Sequence, residues 1–311
     1  MKQILSFILL AGLMPLISFG QEDPFTVKND TVLTIVSGVE TGSYFQIAQD
    51  LIKYSSCKLV IKPSQGAINN YALLINDPLV NIGMVQYDVL LKGKQHDYET
   101  KKQISENLQV LLPLGYEDIH LITRVNSNIL SVKDLAGKKV SVGNPQTEGT
   151  SITTGLIRSV TSVPWDEVNM SFDSAFVALL NGKIDAMFFV GYAPVQKLKA
   201  LLPTFNQLIK LVPIEEEALA QFHHKTVITA GTYPWLNEDV ATYAVRAYLV
   251  ANIKTDNQVN MAAYEKLLNA IKNNMDILVQ NGHPAWKKVD LSFKDVKWPV
   301  HPAAKKVFKL K

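Results

Sequence analysis

One stretch near the start of the chain constrains the fold more than any other: residues 31–54, TVLTIVSGVETGSYFQIAQDLIKY. Its first six residues are β-branched or apolar, which predicts a buried strand. Residues 37–43 contain glycine, serine and threonine, which predict a turn, and from Tyr44 the apolar residues recur at helical spacing. A strand that turns sharply into a helix leaves the first N–H groups of that helix unpaired, so such a turn can hold a carboxylate or another anion.

A second segment, residues 139–158, repeats this plan with the sequence KVSVGNPQTEGTSITTGLIR. Strands and helices alternate along the chain, which predicts an α/β fold with βαβ units and mostly parallel sheets. Ligands of such sheets bind beyond the carboxyl ends of the strands. We therefore expect two lobes that face one ligand: residues 21–118 with 235–311, and residues 119–234.

Three finer expectations concern the connections. Residues 108–114 and 119–124 are apolar runs, and the intervening GYED predicts a polar turn between two strands. Residues 227–234 are expected to return the chain to the first lobe. Residues 264–280 carry apolar side chains at helical spacing, which predicts one long amphipathic helix.

The first twenty residues have the pattern of a signal peptide. Lys2 precedes an apolar run that is shorter than the ~20 residues of a membrane-spanning helix. The run ends in Ser-Phe-Gly and is followed by the polar Gln21. This order predicts a cleaved signal peptide at residues 1–20, with a buried helix as the alternative. Because no cysteine follows the run to carry a lipid, we expect a soluble periplasmic protein.

Composition excludes several functional classes. The formal net charge of +3 becomes +2 when Lys2 leaves with the signal peptide, since residues 1–20 hold no other charge, and this gives no case for nucleic acid. Cys57 is the one cysteine, so no intramolecular disulfide can form. The histidines lack the spacing of a metal site, and the sequence contains no nucleophile-elbow, phosphate-loop or dinucleotide-binding glycine motif. We expect no cofactor, no metal and no catalysis.

Four segments carry a family resemblance: SGVETGSYFQIA, SQGAINNYALLINDPLVNIGMVQYDV, DLAGKKVSVGNPQTEGT and GKIDAMFFVGYAPV. Together with TYPW they occupy most of residues 31–236, and in this order they resemble the TAXI-type solute receptors of TRAP transporters. The resemblance implies a type II periplasmic-binding-protein fold whose two lobes close on a ligand in the cleft between them. It also implies a receptor, which we expect to be monomeric, that binds a small organic anion or a glutamate-like amino acid and delivers it to a TRAP-type permease. The alternatives are a ligand-sensing module for a signalling partner and an enzyme on the same fold.

The resemblance and the predicted strand ends select nearly the same ligand-binding residues. In the first lobe they are Gly42, Ser43, Tyr44, Gln65, Asn69, Gln86 and Asp88. In the second lobe they are Thr147, Glu148, Gly149, Thr150, Ser151, Tyr192 and Tyr233. Other roles are open: the hydroxyl residues at the two helix starts could be helix caps, the tyrosines could be core aromatics, and Asp88 could be structural.

Glu148 departs from the family pattern, which places small residues at this turn. A carboxylate here suits the helix dipole but competes with a ligand anion for the same N–H groups. Glu148 therefore either points to solvent, the orientation we favour, or faces the cleft and meets a cationic group. The second orientation would favour an amino acid over a plain dicarboxylate.

Overall fold

The computed structural model describes residues 31–256 and 258–310. The predicted signal peptide lies outside these residues. The described strands are Leu33–Val36 (β1), Leu59–Lys62 (β2), Ile82–Gln86 (β3), Leu108–Arg124 (β4), Lys139–Ser141 (β5), Asp166–Val168 (β6), Ala186–Gly191 (β7), Ile209–Val212 (β8), His224–Ile228 (β9) and Val240–Asn252 (β10). The described α-helices are Ser43–Ser55 (α1), Ala67–Asn76 (α2), Tyr87–Thr100 (α3), Gly149–Thr161 (α4), Phe172–Leu180 (α5), Gln196–Lys199 (α6), Pro203–Asn206 (α7), Gln258–Asn273 (α8), Met275–Asn281 (α9) and Pro302–Phe308 (α10).

The strands join into one sheet in the order β2-β1-β3-β10-β4-β7-β5-β6, with β8 beside β4 and β9 beside β10. At one end β1 pairs in parallel with β2 and β3, and at the other end β5 pairs in parallel with β6 and β7. The long strands β4 and β10 are antiparallel to their neighbours and connect the two parallel units. The predicted α/β fold is confirmed, and both parallel units contain the helix connections that the alternating sequence predicts.

Strand β4 corrects one prediction from the sequence. The expected turn at GYED is wrong, because these residues continue the strand: Tyr116, Glu117 and Asp118 pair with three consecutive residues of β10. Pairing with a strand more than a hundred residues away outweighs the local turn preference of the four residues. The partner of β4 changes from β10 to β7 at Asp118, which is where the sequence places the lobe boundary. The lobe bounds themselves stay a prediction.

Three apolar clusters support the sheet. The largest packs α1, α8 and the C-terminal segment on β1, β3 and β10, with Trp286 among its buried residues. The second surrounds Trp165 and Phe188, and the third surrounds Leu179 and Tyr233. Tyr233 packs in the third cluster, and β10, which follows it, pairs with β3 of the first parallel unit. The expected return of the chain at 227–234 stays a prediction, as the lobe bounds do.

The predicted long helix at 264–280 is interrupted. Helix α8 ends at Asn273 and α9 begins at Met275, because Asn274 leaves the helical conformation and its side-chain amide donates to the Tyr54 carbonyl at 2.8 Å. The amphipathic pattern continues through both α8 and α9, so the apolar spacing predicts the helical residues correctly. The position of the break is set by the contact of Asn274 with α1. Within the described residues, no helix is long and apolar enough to cross a membrane.

Candidate functional site

A cavity of about 470 Å³ lies where α1, α2 and α4 begin. Its wall is formed by the turn after β1, the end of β3, the middle of β4 and the segment that follows β7. Ligand pockets in proteins usually have volumes of about 300–1,000 Å³, so this cavity is large enough for a small organic molecule.

The cavity brings together most of the residues that the sequence selects. Those that line it are Gly42, Ser43, Tyr44, Gln65, Gln86, Glu148, Gly149, Thr150 and Tyr192. Those that do not line it are Asn69, Asp88, Thr147, Ser151 and Tyr233. Ligand contact by the first group stays a prediction, whereas the second group holds the surrounding structure through contacts described below.

The start of α1 offers N–H groups to the cavity. The first helical hydrogen bond runs from the Gln46 N–H to the Gly42 carbonyl at 3.2 Å, so the N–H groups of the three preceding residues have no partner within the helix. Gly42 is the residue that caps α1, and no side chain caps this helix. The alternative role of Ser43 as a helix cap is therefore wrong, and Ser43 is among the residues that line the cavity.

The start of α2 is already occupied by a carbonyl of the loop before α4. Ile68 and Asn69 donate their N–H groups to the Thr147 carbonyl at 3.1 and 3.3 Å. The approach is close, because a Cβ at Gly66 would lie 2.7 Å from the same oxygen. Thr147 thus contributes its backbone to a contact between the two halves of the chain, and Asn69 holds the turn by accepting the Gln65 N–H at 3.1 Å.

Glu148 lines the cavity, and its orientation differs from the solvent-facing one that we favour from the sequence. It is half-buried, and this burial raises the pKa of its carboxyl. Its side chain packs over Gly143, where a Cβ would lie 2.8 Å from Oε2. Glycine at position 143 therefore leaves the space that the inward carboxylate occupies.

Thr150 is also not a helix cap. Residue 148 occupies the capping position of α4 and makes no side-chain cap bond. The Thr150 hydroxyl accepts the Val190 N–H at 3.2 Å, which ties the start of α4 to β7. Ser151 donates its hydroxyl to the Glu148 carbonyl at 2.8 Å and stabilises the same turn.

Glu117 forms the floor of the cavity, and sequence reasoning missed it. Its side chain is only 4% exposed, and the amide of Gln86 donates to its Oε2. Burial is the main cause that raises the pKa of this carboxyl to about 8. The hydrogen bond from the Gln86 amide lowers the pKa, and the charges of Asp88 and Asp118 raise it. The available signal was an acid inside a long apolar run, which we interpreted as part of a turn.

Several buried polar atoms around this floor lack protein partners. Within the described part of the chain, no hydrogen bond is made by the hydroxyls of Ser37, Tyr44 and Tyr192 or by Oε1 of Gln86. All four residues line the cavity. Burial raises the pKa of both tyrosines well above the usual value, so both carry their protons at neutral pH. Buried polar atoms are normally paired, so this group indicates a site that a ligand or water completes.

The rim carries charged residues that the sequence analysis also missed. Lys197 pairs with Asp173, its Nζ lying 2.8 and 2.6 Å from the two carboxylate oxygens. Lys199 is exposed on the same rim, and Phe172 places its ring 5.4 Å from the Lys197 ammonium. Because these charges are partly solvated, they influence the approach of a ligand more than they hold it.

Asp88 and Tyr233 lie behind the wall of the cavity. The Asp88 carboxylate accepts a hydrogen bond from Thr153 on α4, and its Oδ2 lies 3.8 Å from Nε2 of the buried His223. The Tyr233 hydroxyl lies 2.7 Å from Nε2 of His120 and accepts the Val195 N–H at 3.1 Å. Both residues therefore connect neighbouring elements. For Asp88 this is the structural role that we considered as an alternative to ligand binding.

The fold is similar to that of a class of solved proteins, the periplasmic binding proteins. The binding protein BugD matches with a TM-score of 0.51 at 10% identity, over 77% of this chain and 82% of that one, which shows the fold. The amino acid ABC transporter substrate-binding protein AbpA from Streptococcus pneumoniae, solved with L-arginine, matches with a TM-score of 0.47 at 16% identity over 84% and 97% of the two chains. A TctC solute binding protein from Polaromonas matches with a TM-score of 0.45 at 15% identity over 79% and 88%.

The family is defined by a direct match to the sequence. Residues 35–311 match the model of the NMT1-like family, and the chain belongs to that family. The matched region contains every residue that the sequence analysis selects for ligand binding.

Proposed function

We propose that this protein is an extracytoplasmic solute receptor that binds a small organic anion or an amino acid and delivers it to a membrane transporter. The observation that carries the proposal is the cavity at the helix starts, where buried polar groups have no partner among the described residues. A cavity of this size and polarity fits a molecule with a few charged or hydrogen-bonding groups.

An anionic group of the ligand has a defined place in this proposal. The free N–H groups at the start of α1 carry the positive end of a helix dipole, which favours a carboxylate. The two lysines of the rim add positive potential at the entrance. The floor is different in character, because it presents carboxyl and amide oxygens rather than cations.

The transport partner follows from the resemblance to TAXI-type receptors, which supports a TRAP-type permease and a periplasmic location. In this function the two lobes close over the ligand, and the permease recognises the closed form. Contacts that already join the two halves, such as the bonds from α2 to the Thr147 carbonyl, are of the kind that stabilises a closed form.

The proposal is tested by a thermal-shift screen over amino acids, keto acids and dicarboxylates, followed by calorimetry and product analysis on each hit. A ligand with micromolar affinity, added at one thousand times its dissociation constant, stabilises the folded state by about 4 kcal/mol. We expect a clear rise in melting temperature and an unchanged ligand. Absence of any stabilising compound, or conversion of the ligand to a product, would contradict the proposal.

Gly149→Ala is expected to weaken binding of the compound selected by this screen by about tenfold to a hundredfold. A Cβ at this position would lie 1.5 Å from Oε1 of Gln86 and 3.3 Å from the Cβ of Ala67. The Gln86 amide would have to leave Glu117, and a hydrogen bond to a charged or acidic group contributes about 1.5–3 kcal/mol. Titration calorimetry of the folded variant measures the change.

The matched control is Gly155→Ala on the same helix. No atom lies within 4 Å of a Cβ built there, so affinity should not change, and stability should rise by about 0.5–1 kcal/mol because alanine is the better helix former. Wild-type affinity of the folded Gly149→Ala variant would show that the contact with Gln86 is not needed for binding.

A further inference from the structure

Among the described residues, Glu117 differs from the other acids near the cavity because no cation forms a salt bridge with it. Asp118, its neighbour on β4, lies 3.2 Å from the Lys288 ammonium and accepts the Ala193 N–H at 3.0 Å. Glu148 and Asp173 lie at the wall and rim, where Lys197 is close. No salt bridge of Glu117 is formed within residues 31–256 and 258–310.

The groups that influence the charge of Glu117 come from five parts of the fold. They are Tyr44 on α1, Gln86 at the end of β3, Asp88 on α3, Asp118 on β4 and Tyr192 after β7. Two are acids and three are neutral, so the ionised form of Glu117 receives stabilisation only from hydrogen bonds. Arg246 on β10 is a buried cation, but its guanidinium lies 4.5 Å from the ring centre of Tyr116 and the residue does not line the cavity.

The unsatisfied atoms beside Glu117 are mostly acceptors or can act as acceptors. Gln86 directs its amide hydrogen to Glu117 and leaves Oε1 without a partner in the described structure, and the two tyrosine hydroxyls each have free lone pairs. A ligand group with several N–H bonds and a positive charge would satisfy these atoms together. An ammonium group has three such donors and the required charge.

We propose that Glu117 is the specificity-determining residue of the cavity, that it receives an ammonium group of the ligand, and that this step releases one proton from Glu117 to solvent. The inference rests on the proposed receptor function and assigns the floor to the cationic group, as the start of α1 is assigned to the anionic one. The balance is complete: the neutral carboxylic acid loses a proton, and the resulting carboxylate pairs with the incoming ammonium. No other bond forms or breaks.

In the competing arrangement, Glu117 keeps its proton and the same side chains bind a carboxylate of the ligand. A neutral Glu117 could donate its O–H to a ligand carboxylate, assisted by the tyrosine hydroxyls. That arrangement leaves the Gln86 oxygen unsatisfied, and it would release no proton. The number of protons released on ligand binding therefore distinguishes the ammonium arrangement from the carboxylate arrangement.

The experiment is titration calorimetry on the full-length chain with paired probes that differ only in the amine: L-glutamate with 2-oxoglutarate, and L-alanine with pyruvate. Each titration is run at pH 7 in phosphate and in Tris, whose ionisation enthalpies differ. Because the Glu117 pKa is about 8, we expect about 0.9 protons released per amine bound at pH 7 and none for the keto acids. Affinity for the amines should rise about tenfold from pH 6 to pH 7 and level off above pH 8.

Two variants identify the carboxylate concerned. In Glu117→Gln we expect loss of the proton release and at least a tenfold weaker affinity for the amines, whereas Glu148→Gln should retain the proton release. The reverse result would assign the ammonium to Glu148. Because the proton count is made on the unaltered chain, the test stands even where a variant fails to fold.

The outcomes distinguish the two levels of the proposal. Binding of amines without proton release, or equal binding of keto acids with proton uptake, overturns the role of Glu117 and leaves the receptor function intact. Failure of every probe and of every compound in the thermal-shift screen overturns the receptor function, and with it the inference drawn from it.

Discussion

Replacing Trp286 by alanine is expected to lower the free energy of unfolding by about 3–5 kcal/mol, the range observed for large aromatic residues in protein cores. The side chain is 1% exposed in the largest apolar cluster. Its indole N–H donates to Oδ2 of Asp50 at 2.8 Å, and the same oxygen accepts the His283 N–H at 2.7 Å. The substitution therefore creates a cavity and removes one of the two hydrogen bonds that Oδ2 of Asp50 on α1 accepts from residues 283–286.

Urea denaturation at 25 °C measures this loss. Since a folded domain is stable by about 5–15 kcal/mol, the variant should unfold at a far lower urea concentration or fail to fold. Trp286→Phe retains most of the packing and removes the indole N–H, so it should lose less. Tyr98→Ala is the surface control, because this tyrosine is 87% exposed and should change stability by less than about 0.5 kcal/mol. A loss below about 1 kcal/mol for Trp286→Ala would show that the C-terminal segment contributes little to this core.

The sequence predicts short elements well where turn residues bound them on both sides. The apolar and turn residues predict a strand at 59–62 and helices at 67–76 and 172–180, and β2, α2 and α5 have these bounds. Helix α2, for example, begins immediately after Gly66, whose φ of +140° suits glycine far better than other residues. Such boundaries depend on local conformational preferences, which one sequence contains.

Long-range pairing explains where the prediction of the fold fails. The GYED segment has turn-forming residues, yet Glu117 pairs with Val245 across the sheet. Nothing within a short window of sequence indicates that the partner strand exists. The break at Asn274 has the same origin, since its amide bonds to the Tyr54 carbonyl at a distance of 220 residues along the chain.

In the candidate site, too, features that depend on local sequence could be predicted, whereas features that depend on long-range contacts could not. The helix starts could be located from the sequence, because strand-to-helix turns carry recognisable glycine and hydroxyl residues. The inward orientation of Glu148 could not, since it depends on the space above Gly143. The importance of Glu117 depends on burial and on the neighbours of its carboxyl, which only the folded chain defines.

Glu117→Gln is expected to stabilise the ligand-free protein, and to do so more strongly at pH 8 than at pH 5. The pKa of the Glu117 carboxyl is raised from an ordinary value of 4.5 to about 8 in the folded protein. Below pH 4.5 the carboxyl is neutral in the folded and unfolded states, so its titration has no effect on stability. Between these two pKa values the folded protein holds more protons than the unfolded chain, so stability falls as pH rises.

The size of the effect follows from the pKa difference. One unit corresponds to about 1.4 kcal/mol, so the penalty should reach a few kcal/mol above pH 8, where it stays constant. Glutamine is nearly the same shape and never ionises, so the variant avoids this penalty. The advantage of Glu117→Gln over wild type should therefore be small at pH 5 and grow by a few kcal/mol at pH 8.

Urea denaturation of both proteins at pH 5, 6, 7 and 8 measures this difference. Glu106→Gln is the control, because Glu106 forms an exposed pair with Lys94 and should show no comparable pH dependence. An equal stability difference at all four pH values would mean that Glu117 titrates as an ordinary carboxyl. A growing difference would show that ionisation of Glu117 destabilises the folded protein when no ligand is added. An ammonium ligand that pairs with the carboxylate would offset that penalty.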